Sequence, residues 1–502
     1  MSFFKRYKFQ IFVLLVLSII YFFSRFYSIL SLPIFTDEAI YIRWAQIAKQ
    51  DASWRFISLT DGKQPMLIWF MMVSLRLIQD PLLAGRVISV GAGFMSLIGM
   101  YFLGRELFKS NKIGLISSAL YVIFPMSLVY DRMALYDSLV GSFAVWGLFL
   151  IILLVRRVCL DIALILGMVI GGGVLTKTNA FFNIYLLPLS LILFNWKGKD
   201  VKERLLKWSG LAIVAVILAY GFYSILRLSP FFHIITEKNA IFVYPLKEWI
   251  DHPFEFFIGN WQAFWDWVTR YLTWPLLALA LLSFFVTRKF TREKIVLFLW
   301  FILPIIALGL FGKTLYPRFI FFMILSLLPL IAFSLVNIYS RFKKAYLFHI
   351  FCFFAFLLAL KTDYLILTDF EKAHIPESDI IQYSRGWPAG KGVKKSIEFF
   401  EKEARKGKIY IATQGTFGLM PFALEIYLIN NPNIKIEGYW PVGDTIPAKV
   451  NEESKKNLTY FLFYQPCSSC AYPGAAPIQW NLNPILSIEG GEGNFTSIYR
   501  LK

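Results

Sequence analysis

Two adjacent acids, Asp37 and Glu38, stand in the stretch "LPIFTDEAIYIRWAQIAK" (residues 32–49), directly after an apolar run about twenty residues long. A carboxylate beside a membrane surface can take the proton of a hydroxyl nucleophile, and the N-terminus of a helix beginning here would help to keep Asp37 ionised. The plainer reading is that acids favour first helical turns whatever the protein does. A further acid, Asp137 in "YDRMALYDSLVGSF", opens another apolar run, where an ionisable group is costly. Its neighbours Asp131 and Arg132 are expected to pair with each other. Three cations complete the set: Lys63 in "DGKQPML", Lys177 in "LTKTNA" and Arg318 in "KTLYPRF". Lysine binds phosphate as a point charge and arginine as a planar fork. Such cations near the acids suit a lipid phosphate held beside a general base. Snorkelling to headgroups is the ordinary alternative; it is preferred for Lys177, and phosphate binding for Lys63 and Arg318.

These residues need a scaffold, and the composition supplies its class. Of 502 residues, 57% are hydrophobic and 18% aromatic, which is too apolar for a soluble enzyme and marks an integral membrane protein. The net charge of +19 does not point to nucleic acid, because the Lys and Arg residues cluster in short segments between apolar runs. An apolar helix crosses a bilayer in about twenty residues. By that measure eleven spans are expected, near 9–30, 82–104, 113–130, 134–155, 160–176, 179–195, 208–227, 271–287, 294–312, 318–339 and 345–361. The basic clusters Lys5/Arg6/Lys8, "RELFKSNK", Arg156/Arg157, "WKGKDVKERLLK", "RKFTREK" and "SRFKKA" then share one side. That side is cytoplasmic by the positive-inside rule, with the first span an uncleaved anchor. Asp37 and Glu38 face outward.

The first outer loop, about 31–81, is expected to hold two short helices, with Thr36 as N-cap of the first and Pro65 in the first turn of the second. Ile40, Trp44 and Ile47 share one face of the first, which suits a helix lying in the membrane interface. The second, "PMLIWFMMVSLRLI" (65–78), is too short to span. From about residue 362 the chain turns to mixed charge and short β-like runs, including "KIYIATQ", "NIKIEGYW", "LTYFLFYQ" and "TSIYRLK". These alternate with helices in "GVKKSIEFFEKEARKG" and "GLMPFALEIYLINN", so residues 362–502 read as an extracytoplasmic α/β domain. Cys467 and Cys470 are as compatible with a small disulfide as with two free thiols. The four histidines show no metal-cage spacing.

The order of these motifs resembles a family, the GT-C glycosyltransferases, in the branch that contains protein O-mannosyltransferases and bacterial lipid A aminoarabinose transferases. The resemblance rests on "PIFTDEAIY", "GKQPMLIWF", "GRVISVGAG", "LYDSL" and "LTKTNAF" and covers roughly residues 1–340. It implies a GT-C transmembrane catalytic domain over 1–361 with about eleven helices. Such enzymes move a sugar, with inversion, from a polyprenyl-phosphate donor to a glycan, lipid or protein acceptor on the outer face. By resemblance Asp37 is the general base and Glu38 its support, Asp137 the second acid, Lys63 the lysine near the carrier phosphate, and Arg318 an arginine that contacts it. Gln64 replaces the first proline of the family's Lys-Pro-Pro motif, and the β-trefoil of the protein O-mannosyltransferases is missing. No cofactor is required; if a divalent cation takes part, Asp37 and Asp137 are its expected ligands. Two other classes compete: a lipid-linked sugar transporter or flippase, which should carry ionisable groups or broken helices at mid-membrane, and a non-catalytic membrane scaffold.

Overall fold

The computed structural model describes residues 2–467 and 469–501, with side chains from residue 7 onward. Lys5 and Arg6 of the first basic cluster therefore lie outside the described side chains. The chain divides into two compact units. One comprises Met1–Tyr27, Arg55–Leu67 and Val87–Pro376; the other comprises Ser28–Trp54, Ile68–Arg86 and Glu377–Lys502.

The first unit is helical. Among the described residues seven helices are long and apolar enough to cross a membrane: Tyr7–Phe26, Pro81–Phe108, Tyr136–Arg157, Val201–Leu228, Thr291–Phe311, Pro317–Tyr339 and Ala345–Thr368. Each matches an expected span, although the last runs seven residues beyond 361. Tyr136–Arg157 shows why the sequence folds this way: Asp137 lies in its first turn and Arg156 and Arg157 in its last, each charge complementing the helix dipole. The other four expected spans are helical but short or interrupted. Residues 113–130 break into Asn111–Val122 and Pro125–Tyr130, because Pro125 cannot donate back to a preceding carbonyl. Leu160–Val174 has fifteen residues, about 22 Å of helix, and 179–195 winds as 3₁₀ and α segments. The helix Trp274–Val286 joins Phe257–Leu272 at a 98° bend. Thr273 makes that bend in the left-handed region, at φ 64°, with Pro275 starting the second helix.

The second unit is built on a five-stranded mixed sheet with strands in the order 434–439, 409–414, 458–463, 494–501, 484–491. The first three are parallel and the last two pairings antiparallel. Alternation decides the two faces. Phe461 and Phe463 pack with Val450, Trp480 and Tyr499 on one side, whereas Tyr460 meets Phe399 and Phe400 of the helix Val393–Ala404 on the other. The expected strands and both expected helices are present. The strand Pro484–Gly491 and the helix Ala448–Ser454 are additions, and Cys467 and Cys470 are bridged.

The helix Thr36–Gln50 also belongs to this unit. A two-residue antiparallel ladder, Ile34↔Gly390 and Phe35↔Ala389, anchors its start. A Cβ at Gly390 would strike the Ile34 carbonyl, so glycine permits the approach. Thr36 is not the cap: Phe35 holds that position, and the Thr36 backbone N–H and hydroxyl both donate to the Pro388 carbonyl, at 3.1 and 2.9 Å. The helix is not laid on a membrane by its apolar face either. Ile40 and Trp44 are buried, Trp44 lies 6.1 Å from the Phe417 ring, and Arg43 and Gln46 bond Glu425 and the Ile426 carbonyl of the helix Leu419–Leu428. Protein takes the place expected for lipid. The second loop helix is Met66–Leu77, with Pro65 immediately before it.

Candidate functional site

Four of the six sequence-derived residues, Lys63, Asp137, Lys177 and Arg318, lie in the helical unit. Lys177 Nζ stands 2.8 Å from Asp137 Oδ1, an ion pair in place of the snorkelling preferred from sequence. The side chain of Asp137 is 6% exposed and that of Lys177 21%, so the pair is shielded but reachable. Gln64 stitches the three segments together. Its side-chain amide donates to the Thr178 hydroxyl at 2.8 Å, and its carbonyl accepts from the Tyr136 hydroxyl at 2.9 Å. The residues next to Lys63, Asp137 and Lys177 are thereby bonded to one another. The Met66 amide adds a bond to the Leu175 carbonyl at 3.1 Å.

Rings bring in the remaining cation. Lys63 Nζ lies 5.3 Å from the centre of Phe242 and Lys177 Nζ 4.5 Å from that of Phe319. Phe242 and Phe319 themselves meet at 5.8 Å. Arg318 precedes Phe319 and stacks over Tyr316 at 5.2 Å. Two lysines thus stand against a phenylalanine pair, one of them paired with Asp137, and Arg318 lies on the Tyr316 ring that meets Phe319 at 5.7 Å.

Behind Asp137 stands a buried polar knot. Asp131 does not simply pair with Arg132 as expected. Its carboxylate lies 3.6 Å from Arg25 Nε and accepts from the Tyr21, Tyr121 and Ser138 hydroxyls at 2.8–3.1 Å, while Arg132 donates to the Tyr27 carbonyl. Burial pushes the Asp131 carboxyl up to about 6 despite Arg25 and these hydroxyls. The knot braces the turn that delivers Asp137.

Asp37 and Glu38 lie in the other unit, in the first turn of Thr36–Gln50. Asp37 is partly exposed and Glu38 fully buried. Both Glu38 oxygens face Arg86, from Nε and Nη2 at 2.8 Å each, and Oε2 also accepts the Phe35 N–H at 3.0 Å. Arg86 spends its other donors on the Ile29, Leu32 and Pro33 carbonyls. Glu38 thus fixes the turn beneath Asp37. Sequence reasoning missed Arg86, although it stands within the quoted "GRVISVGAG"; it read Gln64 only as a departure from the Lys-Pro-Pro motif, and the residue's bonding role appears only once residues 136 and 178 are placed beside it.

The chain resembles ArnT from Cupriavidus metallidurans over 99% of its own length and 98% of that chain, with a TM-score of 0.57 and 12% identity. The same protein bound to undecaprenyl phosphate matches with a TM-score of 0.57 and 11% identity, over 98% of both chains. AglB from Archaeoglobus fulgidus, an archaeal oligosaccharyltransferase in complex with an inhibitory peptide and a dolichol-phosphate, matches at 0.53 with 14% identity, over 91% of this chain and 69% of that one. The family described as dolichyl-phosphate-mannose-protein mannosyltransferase matches residues 62–222. No curated protein sequence matches at a significant level. The chain has the GT-C fold, as its motifs led one to expect.

Proposed function

We propose that the protein is an inverting membrane glycosyltransferase that moves a mannose or another hexose or pentose from a polyprenyl-phosphate carrier to an acceptor on the extracytoplasmic face. The observation that carries this reading is the placement of Lys63 and Lys177 on the Phe242–Phe319 pair beside Asp137, with Arg318 on the Tyr316 ring that meets Phe319. A carrier phosphate has the charge for that cluster, and the structures of ArnT bound to undecaprenyl phosphate and of AglB in complex with a dolichol-phosphate support the assignment.

In the reaction the acceptor oxygen forms a bond to the sugar's anomeric carbon as the bond from that carbon to the phosphate oxygen breaks. By the motif resemblance alone the acceptor proton is assigned to Asp37, and the charge growing on the leaving phosphate to Lys63, Lys177 and Arg318. Asp137 is a positioning residue for Lys177. Its Oδ1 is held by the Lys177 ammonium. The N-terminus is assigned to the cytoplasm and the C-terminal domain to the outside of the cell membrane, following the basic clusters.

The test is sugar transfer by the purified protein in nanodiscs from a panel of radiolabelled polyprenyl-phosphate sugars. Wild-type transfer or donor hydrolysis that falls by about 10²–10⁴-fold in Asp37→Asn supports the assignment. Equal rates remove Asp37 as the base, and donor binding without turnover moves the transporter reading ahead.

A further inference from the structure

At the far end of the helix that begins with Asp37, the second unit contains a cavity of about 280 Å³, at the small edge of ligand-site volumes. Twelve residues at 1.5 Å each separate Asp37 from Lys49, about 18 Å. The polar lining is Gln46, Lys49 and Gln50 of this helix, Gln79 after Met66–Leu77, and Tyr427 and Asn430 around the end of Leu419–Leu428. Four primary amides, one phenol and one ammonium therefore meet in one small space; among the described residues no carboxylate lines it, the nearest in the chain being Asp80 between Gln79 and Pro81.

Charge decides what fits. Three helices end at this cavity, each C-terminus carrying about half a negative charge on its unsatisfied carbonyls, and a fourth, Pro81–Phe108, begins there, its positive N-terminus met by Asp80, which accepts the Leu83 N–H at 2.7 Å. Lys49 offsets most of that by donating to the Leu75 carbonyl at 2.9 Å, and Gln46 satisfies the Ile426 carbonyl at 2.8 Å. The sum is close to neutral and slightly negative, so an anion is disfavoured. Side-chain amides both donate and accept, and hydroxyls that donate to the remaining carbonyls complete the match. Tyr427, half-buried at the wall, adds a ring face, and the apolar residues between the amides suit the C–H faces of a pyranose.

We propose that this cavity is a saccharide subsite that holds one uncharged sugar residue of the acceptor, remote from the reacting hydroxyl. It rests on the glycosyltransferase reading and adds that the acceptor is a glycan recognised along the Thr36–Gln50 helix.

The test measures binding of neutral trisaccharides (maltotriose, mannotriose, triacetylchitotriose) and of anionic trigalacturonate to the full-length protein in nanodiscs by titration calorimetry, with donor hydrolysis followed on the same samples. At least one neutral trisaccharide is expected to bind, about tenfold or more tighter than trigalacturonate, and to weaken about tenfold in the double variant Gln50→Ala/Asn430→Ala. Both of these side chains are exposed, so folding is not at risk. Lys49→Gln is expected to weaken binding, and Lys49→Arg to restore it. No neutral binding, a preference for trigalacturonate, or indifference to the double variant overturns the proposal. Donor hydrolysis without saccharide binding sinks the subsite alone, whereas saccharide binding without any donor turnover sinks the transferase reading.

Discussion

Glu38 and Arg86 face each other through two contacts of 2.8 Å, with both side chains fully buried. A buried pair is costly to assemble, yet removing one member leaves an uncompensated charge and costs about 3–5 kcal/mol. Glu38→Gln and Arg86→Met are therefore expected to lower the thermal unfolding temperature sharply. The charge swap should not rescue stability, because Arg86 also serves the Ile29, Leu32 and Pro33 carbonyls, which a glutamate there would repel. Full rescue by the swap would show that only the pairwise charge matters. Asp37→Asn, at the half-exposed neighbour, should leave the unfolding temperature unchanged while turnover falls, which separates chemistry from scaffold.

Asp137 and Lys177 offer a test of a different kind, since their contact at 2.8 Å is proposed to aim a cation at the donor. Lys177→Met should raise the donor KM by about tenfold, the scale of one charge-assisted contact of 1–2 kcal/mol. Asp137→Asn should do less, because the ammonium remains but is no longer held. A double-mutant cycle on donor binding is expected to give a coupling of about 0.5–3 kcal/mol. Strict additivity would mean that the ion pair is structural only.

Much of this was legible before any coordinates. Seven spans could be read because each packs about twenty apolar residues into one run, and the strands 409–414 and 458–463 announced themselves by β-branched and aromatic content. What failed was long-range pairing. Nothing local to Asp131 says that its partner is Arg25, 106 positions earlier, while Arg132 is its neighbour. Trp44 and Ile40 read as a lipid-facing stripe because an apolar helix face carries no label for what covers it. The ladder 34–35 with 389–390 is too short for any alternation to show. Interruptions such as that at Pro125 disappear inside a hydropathy window, which averages over a single residue.

Gly93 is expected to be intolerant of change. A Cβ there would collide with the Tyr21 hydroxyl and the Asp131 carboxylate and drive apart the knot behind Asp137. Overpacking costs about 1–3 kcal/mol, so Gly93→Ala should destabilise by that amount. Gly91, two residues away on the same helix Pro81–Phe108, has nothing within 4 Å of its Cβ position. There alanine should be neutral or stabilising by up to about 1 kcal/mol through helix propensity. Thermal unfolding of both variants checks the pair, and equal effects at the two positions would contradict the packing seen around Asp131.

The surface of the sheet domain predicts a pH dependence. Partial burial works to raise the Glu437 carboxyl, but Lys449 at 2.7 Å and the hydroxyls of Tyr410 and Tyr439 outweigh it and hold it down at about 2. A carboxyl held below its unfolded value of about 4.5 releases its proton more readily in the native state, so the unfolded state binds more protons between the two values and stability rises with pH across that range. The stabilisation from Glu437 is thus complete above about pH 5 and is lost as pH falls from 4.5 toward 2. In Glu437→Gln that dependence disappears. The unfolding temperature of wild type should therefore exceed that of the variant at pH 6, and the gap should close progressively down to pH 2. A gap that stays constant with pH would mean that the glutamine loses shape-dependent contacts and that the ionic interaction with Lys449 contributes nothing.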